Sequence, residues 1–514
     1  MLKREPPEQS QRALQTARRG RLLGALSCGA LTVLSACMVG PDYVRPKAEA
    51  PAAYKEAGDW KPAQPQDQLP RGKWWELFDD RELNALEDQI DISNQNVALA
   101  LAQYQQARAV VQEARAALFP TVTVSPSVTR QKPSETLGPE PVAARAYTYY
   151  TLPVEASWTI DLWGQYRRAY QATEANAQAS AADLETVRLA ATSELAQDYF
   201  LLRTLDAQKL LLEDAVIGYQ KSLQLTNNRY ASGVASKADV AAAETQLRST
   251  EAQAIDVGVQ RAQMENAIAI LVGKPPAVVS LPTSPLTAPP PLVPVSVPSA
   301  LLERRPDIAA AERRMAAANA EIGVAIAAYY PTLTLSAIGG FSSASLSQWF
   351  TYPSRAWSVG ASLAGTLFNG GLFRAQTDAA RAAYDATVAA YRQTVLTGFG
   401  EVENNLAALR ILAQEAKVQD QAVAAAEQSV QLFTNQYKAG TISYLDVVVV
   451  QTTLLTNKRA AVAVLGNRMN AGVLLVKALG GGWEASQLPD DKALGIRYGE
   501  SANSAAVQAS TQAK

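Results

Sequence analysis

The sequence predicts a membrane α+β protein, a duplicated repeat in which each half pairs short amphipathic strands with one very long helical hairpin. Three observations predict it. Prolines are absent from Val154 to Lys274 and from Ser354 to Leu488, yet crowd residues 41–70, 120–153, 275–306 and 331–353; proline is strong punctuation in a chain. The two halves then match each other: Leu118-Phe119-Pro120-Thr121-Val122-Thr123-Val124 corresponds to Tyr329-Tyr330-Pro331-Thr332-Leu333-Thr334-Leu335, and Ala238-Asp239-Val240 to Leu445-Asp446-Val447. The offset stays between 206 and 211 residues throughout, the mark of an internal repeat. Finally, stretches of strict apolar–polar alternation stand beside the prolines, the period of a strand with unlike faces.

Composition narrows the chemistry before any motif is found. The 514 residues carry 47 Lys+Arg against 48 Asp+Glu, no histidine, two cysteines and 48% hydrophobic residues. A balanced charge argues against nucleic acid as a partner, which would need a basic face. Without histidine the commonest general base and the commonest metal ligand are both missing. Two cysteines build neither a Cys-rich zinc site nor a disulfide framework. No phosphate-binding loop of P-loop type occurs, and no nucleophile has a histidine partner. These absences argue against an enzyme and against a metal cofactor.

Residues 1–36 have the pattern of an export signal: a basic region (Lys3, Arg4, Arg12, Arg18, Arg19, Arg21) precedes an apolar stretch, Leu22 to Leu34, too short to span a bilayer. The stretch ends in Leu34-Ser35-Ala36-Cys37, similar to the lipobox of bacterial lipoproteins, where the cysteine sulfur carries a covalent lipid. Cys28 is a poorer match, because Ala25 stands three residues before it. Met38 follows Cys37; an aspartate there would have suggested retention in the inner membrane, so outer-membrane sorting is expected. Removing residues 1–36 takes away six basic and two acidic side chains, which leaves 41 against 46 and a net charge of −5.

The first repeat, residues 81–274, holds predicted strands at about 120–130 and 147–162. In the second of these Leu152, Val154, Ala156, Trp158, Ile160 and Leu162 alternate with Thr151, Pro153, Glu155, Ser157, Thr159 and Asp161. The second repeat, residues 301–483, has its counterparts at about 331–341 and 356–368. Segments of about ten residues, apolar on one face and flanked by aromatics, match transmembrane β-barrel strands; two hairpins of a soluble sandwich are the alternative. Four strands cannot close a barrel, and an open edge in hydrocarbon leaves backbone groups unpaired at several kcal/mol each. The membrane reading therefore requires further copies of the chain: two would supply about eight strands and a filled interior, three about 12 and room for a pore.

The rest is predicted helix. Gln165–Tyr230 and Leu372–Tyr437 are each 66 residues without proline, roughly 100 Å if unbroken at about 1.5 Å per residue. Apolar residues recur at coiled-coil spacing, as in Leu212, Val216, Tyr219 and Leu223. Each hairpin turns at a glycine, Gly233 or Gly440, in tips at about 230–239 and 437–446. Ser236-Lys237-Ala238-Asp239 and Ser443-Tyr444-Leu445-Asp446 have the form of capping boxes that start the returning helices. Residues 275–300 form a Pro-rich linker, Glu303-Arg304-Arg305-Pro306-Asp307 an ion-paired corner, and 484–514 a tail expected to be partly disordered.

Cys37-Met38-Val39-Gly40-Pro41-Asp42-Tyr43, Trp74-Trp75, Phe119-Pro120, Tyr330-Pro331, the Glu303–Asp307 corner, the Tyr-x-x-Gly tips and Ala478-Leu479-Gly480-Gly481-Gly482-Trp483 together give a resemblance that spans nearly the whole mature chain. The chain resembles the TolC-like outer-membrane factors of tripartite efflux pumps, of the NodT-type lipoprotein branch. The resemblance implies a homotrimer: a twelve-stranded outer-membrane β-barrel, four strands per protomer, continued by a long periplasmic α-helical barrel. Residues 37–80 then belong to an equatorial region around that tunnel. The implied partners are a periplasmic adaptor (membrane fusion protein), an inner-membrane transporter of resistance–nodulation–division type, and outer-membrane lipid. Adaptor contacts would fall on Gly233, Val234, Ser236, Gly440, Thr441 and Ser443.

The implied function is a passive gated conduit for small toxic compounds. A duct for type I polypeptide secretion and a non-pore periplasmic coiled-coil scaffold are the alternatives. In some relatives the closed end narrows one turn inside the second tip, at a leucine and, four residues on, an aspartate. Leu445 matches that leucine, but the acidic position falls on Val449, so the run Val447–Val450 favours an apolar constriction that seals by dewetting. Asp446 is a further gate candidate; as the third residue of a capping box it has a second explanation, as does Asp239.

Overall fold

The computed structural model describes residues 38–46, 51, 53–57, 72–134, 145–291, 293, 298 and 301–494. The expected leader, Cys37 and the end of the tail lie outside the described residues. Helices α1 (Arg81–Ser93) and α2 (Gln95–Ala116) lead into strands β1 (Thr121–Val124), β2 (Ser127–Gln131) and β3 (Tyr147–Ile160). Helices α3 (Gln165–Ala231) and α4 (Lys237–Leu271) form the first long hairpin. The second half repeats the order with α5 (Pro306–Ala327), β4 (Thr332–Ser343), β5 (Arg355–Ala364), α6 (Leu372–Ala439) and α7 (Tyr444–Ala478).

The strands make one antiparallel sheet in the order β1/β2–β3–β4–β5. The stretch expected as one strand at 120–130 is two, because Pro126 has no N–H for the ladder; both pieces still pair with β3, through Val124↔Val154 and Ser127↔Thr151. The alternation predicts β3 to run on to 162, but it stops at Ile160. Asp161 turns its carboxylate onto the backbone N–H groups of Tyr166 (3.2 Å) and Arg167 (2.9 Å), which satisfies free donors in the first turn of α3. Strand β5 likewise ends at Ala364, before the positive-φ pair Gly370-Gly371 that opens α6.

Register sorts the sheet into two unlike faces. Val122, Val124, Val128, Leu152, Val154, Trp158, Leu333, Leu335, Phe341, Trp357, Val359 and Leu363 share one face. Thr121, Thr123, Thr151, Ser157, Thr159, Thr334, Ser336, Ser358 and Ser362 share the other. The apolar face is open: Trp357 is 81% exposed, Val359 75% and Leu363 67%. Both outer edges of the sheet, β1/β2 and β5, have no neighbour among the described residues. No helix among the described residues is long and apolar enough to cross a membrane; the surface with that character is on the strands.

The main core lies around the middle of the long hairpins, where Trp74, Leu83, Ile90, Leu195, Tyr199, Phe200, Val402, Leu406, Val473 and Leu475 interlock. Beside it, buried Asp206 accepts from Arg203 (3.0 Å), Arg261 (2.7 Å) and the Ser284 backbone N–H (3.0 Å). The same two arginines donate to the carbonyls of Pro282 (2.6 Å) and Leu281 (2.7 Å), so the Pro-rich linker is fastened to the first hairpin. At the corner before α5, Arg305 is paired with Asp307 (2.7 Å) and Glu401 (2.6 Å) and donates to the Ala478 carbonyl (3.1 Å).

One buried group is left without such partners. Glu87 of α1 is 1% exposed, and neither carboxylate oxygen is hydrogen-bonded among the described residues. Burial, reinforced by the charges of Asp88 and Asp91, raises its pKa well above the usual carboxylate range. The native state therefore holds a proton that the unfolded chain releases above about pH 4.3, and stability falls as pH rises from there through the folded pKa. Glu87→Gln is expected to raise the thermal midpoint of the detergent-solubilised protein at about pH 8 and to leave it nearly unchanged below about pH 4. Equal effects of the substitution at both pH values would show that this titration is not felt.

Candidate functional site

Three places follow from the fold: the base of the sheet, where the chain enters from residue 38; the hairpin tips; and the sheet's own faces. At the base, residues 38–46 run as a strap along α3 and α5. Val39 N–H donates to the Trp163 carbonyl (3.0 Å). Arg168, 4% exposed, donates to the carbonyls of Val39 (3.2 Å) and Gly40 (3.3 Å) and to Asp42 (2.9 Å). Asn319 reaches the Pro41 carbonyl (3.0 Å), and Tyr43 donates to Glu312 (2.6 Å). The strap fits because Gly40 meets Gly323: a Cβ on Gly40 would stand 2.5 Å from the Gly323 Cα.

This strap brings Met38 against Gly164, in the turn between the inner end of β3 and the start of α3. Aromatic side chains mark the same level. Trp163 stacks on Tyr330 with centroids 4.7 Å apart and donates to the Pro331 carbonyl (2.8 Å), and Trp158 donates to the Leu118 carbonyl (3.0 Å). Trp and Tyr at the end of an apolar band are the side chains that favour a membrane–water boundary. Cys37 itself lies outside the described residues, but Met38, its neighbour in sequence, stands at that boundary.

The tips are built alike. Gly233 (φ +74) and Gly440 (φ +79) take the left-handed conformation after each long helix. Val234 N–H then returns to the Arg229 carbonyl (2.9 Å) and Thr441 N–H to that of Gln436 (3.1 Å), the bonds of a Schellman end. Both returning helices start in capping boxes. Asp239 accepts from the Ser236 N–H (2.8 Å) and Asp446 from the Ser443 N–H (3.0 Å), starts worth about 1 kcal/mol each. Gly233, Val234, Ser236, Gly440, Thr441 and Ser443 are all exposed there.

The second tip separates its apolar side chains by face. Tyr444 and Val447 are buried with Tyr437 and Ala243, whereas Leu445 and Val449, four residues apart, are 62% and 58% exposed. The carboxylate of Asp446 is taken up by Ser443, through both its N–H and its hydroxyl. Sequence reasoning missed what ties the two tips together. Arg229 of α3 lies over the Tyr437 ring at 4.7 Å and donates to the Lys438 carbonyl (3.1 Å). Tyr437 in turn donates to Thr226 (3.3 Å), and Tyr219 to the Gln451 carbonyl (3.4 Å). The only sequence signal for this was that Arg229-Tyr230 and Gln436-Tyr437 occupy matching repeat positions with different first residues.

Comparison with known proteins agrees with this geometry. The outer membrane efflux protein family matches residues 86–274 and 297–481, one block in each repeat. The solvent efflux pump outer membrane protein SrpC of Pseudomonas putida is 31% identical over 474 residues, covering 89% of this chain and 98% of that protein. The pyoverdine export outer membrane protein OpmQ of Pseudomonas aeruginosa is 30% identical over 464 residues, covering 89% and 98%. Among solved structures, the outer-membrane channel OprN superposes with a TM-score of 0.82 at 30% identity, over 87% of this chain and 100% of that one. The chain belongs to the outer membrane efflux protein family. It is an α+β outer-membrane efflux channel protein and not an enzyme.

Proposed function

We propose that the chain is one third of a passive, gated outer-membrane duct that carries small toxic compounds out of the cell. The observation that carries this reading is the sheet: four strand positions, β1 and β2 sharing one, with an apolar face, a polar face and two edges unpaired among the described residues. Lipid on the apolar face forbids unpaired edges, so β5 of one copy pairs with β1/β2 of the next. Three copies give about 12 strands, the smallest closure by whole copies that leaves an open lumen. The exposed apolar residues Ile411, Val418 and Leu432 of α6, spaced by whole heptads, and Ile255 and Val259 of α4 give the helices matching stripes for contact between copies.

In the resting state Leu445 and Val449 narrow the periplasmic end, an apolar pair already turned away from the hairpin core. The exposed loops at Gly233–Ser236 and Gly440–Ser443 receive a periplasmic adaptor, and energy comes from an inner-membrane transporter. A covalent lipid on Cys37 anchors the strap at the level of Trp163 and Tyr330. Small-compound efflux is preferred over polypeptide secretion because the relatives SrpC and OpmQ are named for solvent efflux and pyoverdine export.

Deletion of the gene is expected to increase susceptibility to a panel of antibiotics, dyes and solvents by several-fold. Unchanged susceptibility together with loss of a secreted polypeptide would favour the secretion reading instead. Leu445→Ser combined with Val449→Ser is expected to raise single-channel conductance in planar bilayers, and an unaltered conductance would remove these two side chains from the gate. Incorporation of labelled palmitate should be lost on Cys37→Ala; retained label would place the lipid elsewhere.

A further inference from the structure

The polar face of the sheet carries a single charged side chain. Along β3 that face is made of Tyr147, Tyr149, Thr151, Pro153, Glu155, Ser157 and Thr159. Across from it stand Thr121, Thr123, Ser127, Thr129 and Gln131 of β1 and β2. On the other side stand Thr332, Thr334, Ser336, Ile338, Gly340 and Ser342 of β4. Strand β5 adds only Ala356, Ser358, Gly360, Ser362 and Ala364. Among the residues of the strands, Glu155 is therefore the one acidic or basic side chain on this face.

Its charge is not compensated. Glu155 is exposed, and its lateral neighbours are Thr123 and Ile338, neither of which carries a charge. No hydrogen bond or ion pair to its carboxylate occurs among the described residues. The strands' arginines cannot reach it: Arg130, opposite Thr148, and Arg355, opposite Phe341, lie on the apolar face at the outer ends. The next acid along the chain, Asp161, is already paired with Arg167 at 3.2 Å. A cross-strand cation would make such an acid a stabilising pair, and Glu155 faces none.

We propose that Glu155 is the charge filter of the barrel, one carboxylate per copy pointing into the lumen, which favours cationic over anionic solutes. The inference rests on the pore reading above, which turns the apolar face to lipid and the polar face inward. About 12 strands spaced ~4.8 Å apart and tilted by ~40° make a ring roughly 24 Å across, so the axis lies about 12 Å from each backbone. A screening length of ~10 Å at 0.1 M salt lets three such carboxylates reach the axis, whereas ~3 Å at 1 M does not. The lumen's hydroxyls carry no net charge to mask them, and low-dielectric walls concentrate the field. Protonated amines and other cationic compounds are thus the cargo class that the duct passes most readily, and anions are slowed.

The test is the reversal potential of the full-length channel in planar bilayers under a KCl gradient. In dilute salt, about 0.1 M and below, the wild type is expected to prefer K⁺ over Cl⁻, with the preference fading near 1 M. Glu155→Gln should lower the K⁺/Cl⁻ permeability ratio by ~2-fold or more in dilute salt and leave conductance near 1 M unchanged. Glu155→Lys should carry the preference toward Cl⁻. Wild-type selectivity retained in both variants would overturn the filter while leaving the pore intact. Absence of any channel from the wild type would overturn the pore reading and the filter with it.

Discussion

Everything in this molecule follows from the need to pair the edges of a four-stranded sheet in a solvent that offers no hydrogen bonds. In water the two edges would be a tolerable liability, solvated or covered by a loop. In hydrocarbon each unpaired N–H or C=O costs several kcal/mol, more than any local feature of β1 or β5 returns. The sheet is therefore incomplete by construction, and its completion must come from the same sequence. Duplication serves that end, because each repeat brings its own strands and its own long hairpin to the assembly, and closure of the sheet gathers the hairpins below it.

The hairpins in turn explain the composition. A helix of 67 or 68 residues has no globular core to fold into. Its partners are other helices, and a surface rich in alanine allows close approach along the whole length. The strongly packed region is confined to the middle, where Trp74, Tyr199 and Phe200 wedge the first repeat against Val402 and Val473 of the second. Below it the two hairpins meet through smaller apolar clusters, one with Leu212, Tyr219 and Leu455 and one with Ala243, Tyr437 and Tyr444, and through Arg229 on Tyr437. The larger core thus sits at the equator, with smaller clusters toward the tips.

Much of this was legible in the sequence because its signals are local. Alternation in Thr151–Ile160, the glycines at 233 and 440, and the Ser-x-x-Asp starts at Ser236 and Ser443 each act within a few residues, and the structure shows all of them. The missed features depend on residues far apart in the chain. Arg168 holds a strap more than a hundred residues before it, and the Asp206 cluster gathers Arg261 and the linker backbone. Nothing in Gly40 or Gly323 alone shows that each is small for the sake of the other. The early end of β3 was missed for another reason: Asp161 fits the alternation, and only its service to the first turn of α3 removes it from the strand.

Glu155 combines both situations. As a polar residue in an alternating strand it is unremarked in the sequence, one of seven positions on that face of β3. Its isolation is a property of the whole face, and that face exists only once the register of β1, β2, β4 and β5 is known. A duct that performs no chemistry has few residues whose identity is dictated by a reaction, so meaning falls on those whose identity packing does not explain. Asp161, the next acid toward the sheet's inner end, is paired with Arg167, and the face itself is otherwise uncharged, built mostly of hydroxyl-bearing side chains with glycine and alanine. A carboxylate set alone in such surroundings gains nothing for the fold, and its one remaining effect is on what moves past it.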